Sequence, residues 1–282
     1  FFIGVLVIFQ KSSDKALTNK LQDGPWRLEW KNDGFDYLKL LKEFQAGQAQ
    51  FTRLSNKTTV REVYRVHYMG RDFVLKHDTE LEKLPEKRLW IRLAGTLFSR
   101  LIKMTTKAAQ KGCTVAQEIF LVAERLSGPF CQESYLIAEY IPGQCFMKEV
   151  IEKEDLMFFI YRRPDPFIHL IINSLNQLHK YGLASDDIEL SNMILTSDNQ
   201  IKFIDLHPRG PIFLCQASDI LKMKTFYNIN TKSANVFVNL LAKIRYWHHL
   251  FRHQMRVWRN RLPAPDVRVI WEDESEKIER LR

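Results

Sequence analysis

Trp26, Leu28 and Trp30 alternate with Arg27, Glu29 and Lys31, a period of two that predicts a strand with one face toward a core. Asn32-Asp33-Gly34 then reads as a turn, and Tyr37, Leu40, Leu41 and Phe44 recur at three- and four-residue steps, predicting an amphipathic helix. From Phe51 to Lys76 the pattern returns to strands: TVREVYRVHY, a turn at Met69-Gly70-Arg71, and DFVLKH, a hairpin signal. Residues 84–111 carry Leu89, Ile91, Leu97, Leu101 and Ile102 in a long helical stretch. Two further strands are predicted at 118–126 and 134–141, joined by a turn at Gly128-Pro129.

Beyond Pro142-Gly143 the pattern becomes helical. Ile168, Ile171, Leu175 and Leu178 share one face of a helix over 167–179. A polar loop follows, then a short hairpin (MIL, a turn at Ser197-Asp198-Asn199, IKFIDL) and helices to about residue 262. A β-rich first half, a short joint and a helical second half make an α+β chain in two lobes, and a cleft between lobes is a common ligand site. The expected division is an N-terminal segment of uncertain role (1–23), an N-lobe (24–138), a hinge (139–144), a C-lobe ending in a basic helix (145–262) and a charged tail (263–282).

Composition narrows the class. The chain has 282 residues, 45% of them hydrophobic, enough for a substantial core, and its net charge of +9 favours acidic partners. Cys113, Cys131, Cys145 and Cys215 form no CxxC pair and have no histidines at zinc spacing, which argues against a disulfide scaffold or zinc module and for a reducing compartment. The apolar run Phe1–Phe9 is about half the ~20 residues that cross a bilayer and has no basic residue before it. The chain is therefore read as soluble, the run being an extra strand or the end of a longer segment.

Four polar residues stand at the ends and edges of apolar runs. Lys76 closes FVLK, Asp187 and Asn192 lie in the loop ASDDIELSN, and Asp205 ends IKFID. Singly, each also reads as a solvated strand end, a turn former or a helix cap. In this order they match what phosphoryl transfer from a nucleotide needs. A lysine holds phosphates, an aspartate deprotonates the acceptor hydroxyl, and an asparagine and a second aspartate supply oxygen ligands to Mg²⁺.

With LHKYGLASDDIELSNMI, IKFIDL and QASDIL in view, the sequence from Gly24 to Asn228 resembles the protein kinase-like superfamily. Within it, the chain is similar to the bacterial lipopolysaccharide core heptose (heptose II) kinases. GPWRLEWKNDGFDYLKLLKE, GRDFVLK, FLVAER and IAEYIPG extend the likeness. The resemblance implies a two-lobed protein kinase-like fold with a β-rich N-lobe and a helical C-lobe, and an ATP- and Mg²⁺-dependent kinase acting on a heptose of the lipopolysaccharide inner core. Asp187 is then the catalytic base, Asn192 and Asp205 the Mg²⁺ ligands, and Lys76 the residue that grips the nucleotide. The backbone at Glu139, Tyr140 and Ile141 would meet adenine, and Asp219 would tie down the catalytic loop.

Three departures from the pattern stand out. Ser185-Asp186 precedes Asp187 where many relatives have His-Arg or His-Gly, LSNKTTV replaces a Gly-rich loop, and the stretch from Arg88 to Lys111 has no acidic residue. An acidic partner for Lys76 must then come from Glu80, Glu82 or Glu86, or be missing. The competing readings are a kinase for Kdo or another small sugar, and a catalytically inactive kinase-like protein that serves as a membrane-associated interaction module.

Lys243, Arg245, Arg252, Arg256, Arg259 and Arg261 fall in one acid-free stretch, with Val236, Leu240, Ile244, Trp247, Phe251, Met255 and Trp258 at helical spacing among them. The expectation is that this stripe packs on the lobe. The basic face is left either solvated or directed, through Lys243, Arg245, Arg252, Arg256 and Arg259, to an anionic membrane carrying the lipopolysaccharide core precursor. Nucleic acid fits the charge, but no binding module for it is recognisable. The expected location is cytoplasmic, peripheral to the inner face of the inner membrane.

Overall fold

The computed structural model describes residues 18–54, 61–79, 97–127, 130–145, 165–186, 188–206, 208, 210–226 and 229–258. Ten strands are seen among them: β1 (Thr18–Asp23), β2 (Trp26–Lys31), β3 (Gln50–Arg53), β4 (Arg61–Tyr68), β5 (Arg71–Thr79), β6 (Ile119–Ser127), β7 (Phe130–Glu139), β8 (Gln144–Cys145), β9 (Met193–Leu195) and β10 (Ile201–Phe203). The helices are α1 (Tyr37–Gln45), α2 (Leu97–Gln110), α3 (Asp165–Lys180), α4 (Ile212–Phe226) and α5 (Val236–Trp258), with a 3₁₀ turn at Leu190–Asn192. β1 to β7 form one antiparallel sheet in the order β1-β2-β6-β7-β5-β4-β3, and β10-β9-β8 form a small second one. This is the two-lobed α+β arrangement that the sequence pattern implies, a sheet-rich half followed by a helical half.

The two-residue period decides what each sheet face meets. Phe73 and Leu75 on β5, Leu121 and Ala123 on β6, and Tyr135 and Ile137 on β7 pack with Tyr37, Leu40 and Leu41 of α1 on the outer face. Their alternates, Ile119, Val122, Leu136 and Ala138, join a second cluster on the inner face. That cluster runs through Leu101 and Ile102 of α2 to Ile171, Leu175 and Leu178 of α3, and on to Met193, Ile201 and Phe203 beneath the polar loop. Lys76 alternates with Leu75 and so emerges on the inner side, toward the helical half.

The structure adds one strand and extends another. β1 adds a strand ahead of Trp26, paired with β2 from Thr18↔Lys31 to Asp23↔Trp26. Its sequence, TNKLQD, has no apolar alternation to reveal it, and a polar strand suits its place at the sheet edge. β7 begins at Phe130, four residues before the predicted strand, because the hairpin with β6 continues to Ser127↔Phe130 past a register shift. Of the predicted helix over 84–111, residues 84–96 lie outside the described residues. Glu80, Glu82 and Glu86 lie outside them too, as do Phe1–Phe9, most of the LSNKTTV segment and the tail. All four cysteines are free.

The joint between the halves requires glycine. A Cβ on Gly143 would stand 2.4 Å from the Leu195 carbonyl oxygen and 2.7 Å from Ile194 Cγ2, so only a bare backbone lies this close to β9.

Candidate active site

Lys76 Nζ donates to Asp205 Oδ1 at 2.7 Å, joining residues 129 positions apart in the chain. Asp205 follows β10 and takes a left-handed backbone, φ +56°, a conformation that aspartate tolerates better than most side chains. The Ile204 N–H donates to the Asn192 carbonyl at 2.9 Å, which brings the backbones of the two expected metal ligands together. A carboxylate and a side-chain amide oxygen are ligands that a hard divalent cation accepts, and the ammonium of Lys76 already meets the Asp205 carboxylate. The donor chemistry therefore fits Mg²⁺.

Lys76 finds its ion-pair partner, among the described residues, in Asp205 rather than in a helix acid. Where α2 approaches Lys76 it presents Phe98, Leu101 and Thr105, which with Leu136 and Asp205 line a cavity of about 20 Å³. That is room for about one water, and the three α2 side chains carry no charge.

The polar loop is anchored from beneath by Asp219 on α4, which is fully buried. Asp219 Oδ1 accepts from the Asp186 N–H at 2.8 Å, and Oδ2 accepts from the Ser185 N–H at 3.0 Å with His179 Nε2 at 3.1 Å. Burial pushes the Asp219 carboxyl above the usual carboxylate range, against the pull of His179 and the two amides. Asp186 is left-handed at φ +59°, and its carbonyl accepts from Lys222 Nζ at 2.9 Å. Asp187 itself lies outside the described residues.

The hinge segment is tied at its start. The Glu139 N–H donates to the Glu118 carbonyl and its own carbonyl accepts from Gln117 Nε2, both at 2.8 Å, while its carboxylate pairs with Lys202 Nζ at 2.6 Å. Tyr140 carries the Arg65 guanidinium over its ring, 4.3 Å from the centroid, and Ile141 is buried.

The structure thus brings Lys76 and Asp205 into direct contact, sets Asn192 beside them through the backbone, and places Glu139 to Ile141 at the joint. Three residues that sequence reasoning missed support this set. Gln117 lies on a short segment whose own N–H donates to the Phe203 carbonyl at 2.9 Å, so it links the strand before Asp205 to the hinge. Lys202 holds the hinge carboxylate, and His179 pairs with Asp219. Only His179 left a signal, as a polar residue beside Leu178 at the end of an apolar helix face.

Comparisons with known proteins bear on this arrangement. The sequence model of the family described as lipopolysaccharide core biosynthesis protein (WaaY) matches residues 19–265. The chain is 23% identical over 232 residues to the lipopolysaccharide core heptose(II) kinase WaaY of Escherichia coli (strain K12), covering 82% of this chain and 91% of that protein. It is 22% identical over 181 residues to a protein kinase C-like protein of Cochliobolus heterostrophus, covering 62% of this chain and 13% of that one. Among solved structures, WaaP in complex with acyl carrier protein matches with a TM-score of 0.45 at 15% identity, covering 87% of this chain and 93% of that one. With a family model aligned from residue 19 to residue 265, the chain belongs to the lipopolysaccharide core biosynthesis protein (WaaY) family.

Proposed function

We propose that this protein is an ATP- and Mg²⁺-dependent kinase that phosphorylates a heptose of the lipopolysaccharide inner core, working at the inner face of the inner membrane where its acceptor is assembled. Family membership supports the reaction, and one observation supports the site: the Lys76 ammonium and the Asp205 carboxylate meet at 2.7 Å between the sheet and the helical half. Among the described residues no helix is long and apolar enough to cross a membrane.

In this reading Asp187 takes the proton of the heptose hydroxyl as its oxygen attacks the γ-phosphorus; the new O–P bond forms, the bridging P–O bond breaks and ADP leaves. Asn192 and Asp205 are the residues that would hold Mg²⁺, which when bound neutralises charge on the phosphates. Lys76 turns from Asp205 to the α- and β-phosphates as nucleotide enters. Because the Glu139 N–H is committed to Glu118, the donor to adenine is expected from Ile141. Asp219 acts at one remove, fixing the backbone at Ser185 and Asp186.

Nucleotide binding tests the assignment without an acceptor. Mg²⁺-ATP at a hundred times its Kd should stabilise the wild type by about 3 kcal/mol. Asp205→Ala should remove most of the Mg²⁺-dependent part of the accompanying thermal shift. An unchanged shift in that variant would count against Asp205 as a metal ligand, and no shift in the wild type would count against the kinase reading.

A further inference from the structure

The apolar stripe of α5 faces outward, contrary to the expectation that it packs on the lobe. The helix meets α4 through Val238, Leu241 and Ala242 against Ala217 and Ile220. Arg245, expected on the surface, instead reaches inward and donates from Nη1 to the Leu214 carbonyl at 3.0 Å. Val236, Leu240, Ile244, Trp247 and Phe251 lie roughly 150° around the helix from that packed face, at 3.6 residues per turn. All five are exposed, Trp247 at 70% and Phe251 at 64%.

Water does not favour a continuous stripe of this kind, and patches like it mark an interaction surface. The borders say what covers it. Lys243 and His248 border the stripe, Arg252 lies further round the helix about 120° from the stripe's centre, all three are exposed, and no acidic residue occurs between Val236 and Trp258. A second copy docked by the same face would set cation against cation. An anionic lipid surface satisfies both features, since aliphatic and aromatic side chains enter the acyl boundary while lysine and arginine stay among the headgroups. Tryptophan is enriched at that depth.

We infer that α5 is an in-plane membrane anchor whose stripe from Val236 to Phe251 inserts into the surface of an anionic bilayer. The anchor deepens the proposed kinase reading by giving the enzyme a fixed attitude on the membrane that carries its acceptor. It differs from attraction through the basic residues alone because it needs the apolar side chains.

The test is sedimentation of the full chain with vesicles of phosphatidylethanolamine and phosphatidylglycerol, against vesicles of phosphatidylcholine alone. No nucleotide or acceptor is present, so the result is independent of phosphate transfer. The wild type should bind the anionic vesicles preferentially. Trp247→Ser with Phe251→Ser should weaken that binding roughly tenfold or more, through lost apolar insertion, without lowering the melting temperature. Lys243→Gln with Arg252→Gln should weaken it at low salt and little at high salt. Vesicles carrying brominated acyl chains should quench Trp247, and a Trp247→Phe control should lose that component.

Three outcomes would overturn the inference. The wild type could bind neither vesicle, or the Trp247/Phe251 variant could bind as well as wild type, leaving only a charged face. The third is a concentration-dependent dimer that the same variant dissolves, which would assign the stripe to a second copy.

Discussion

Asp219→Ala should lower stability by about 3–5 kcal/mol, the cost of leaving several buried donors without their shared acceptor. The carboxylate is fully buried and receives the Ser185 and Asp186 amides together with His179. Removing it strands two backbone donors and an imidazole where water cannot replace it, and leaves a cavity in addition. At about 2–4 °C per kcal/mol for a chain of this size, the melting temperature should fall on the order of 10 °C. Asp219→Asn separates anchoring from charge. It retains one acceptor oxygen, so it should lose less stability while still disturbing the backbone at Asp186. If Asp219→Ala melts within about 2 °C of the wild type, the loop is held by something else, since the expected loss is several-fold larger.

Asp187→Ala should reduce phosphate transfer by roughly 10²- to 10⁴-fold, the usual contribution of a positioned general base. Its effect on nucleotide binding should be small, because the proposed role concerns the acceptor hydroxyl and not the phosphates. The pairing of results is what matters: transfer lost with the Mg²⁺-ATP thermal shift retained supports a base, and loss of both points to a structural or metal-binding role. Asp186→Ala is the informative control. Its N–H donates to Asp219 and its carbonyl accepts from Lys222, both bonds that an alanine backbone can make, and the left-handed backbone at φ +59° is the feature an alanine would strain. Asp186→Ala should therefore cost some stability and retain most of the transfer rate per folded molecule. Transfer lost in Asp186→Ala and kept in Asp187→Ala would exchange their roles.

Much of the site was legible because polar residues interrupt apolar periodicity there. Lys76 follows the apolar run Phe73–Leu75 but does not close its strand, since β5 continues to Thr79, and Asp205 lies two residues past β10; alternation along β5 already sets Lys76 on the face opposite Leu75. Asp219 was legible only through the family resemblance carried by QASDIL, not through any local pattern, since burial of a carboxylate depends on what folds over it. Gln117 and Lys202 carried no signal: each acts through a partner on a different strand, Glu139, and a side chain's long-range hydrogen bond leaves no periodic trace.

The fold shows the same division between local and non-local information. The hairpin at Met69-Gly70 and the amphipathic α1 were readable because one face of each repeats on its own period. β1 was not, because an edge strand of Thr, Asn, Lys, Leu, Gln and Asp buries too little to need alternation. In α5 the period revealed a stripe and could not reveal its direction. Small residues decide that: Val238 and Ala242 let α5 close against Ala217 on α4, and the bulky residues are left on the far side. The absence of an acidic residue along α2 was also legible, but its consequence was not, since the partner that Lys76 finds lies 129 residues away.

Phosphate transfer to a sugar of the lipopolysaccharide core can be followed directly. Wild-type protein, Mg²⁺ and ATP labelled at the γ-position are incubated with lipopolysaccharide that lacks core phosphate. The labelled product is then hydrolysed to find the sugar that carries the phosphate. Label is expected on a heptose, dependent on Mg²⁺. Label on a different sugar would correct the acceptor, and no label on lipopolysaccharide from a protein that binds Mg²⁺-ATP would rule out a lipopolysaccharide core kinase.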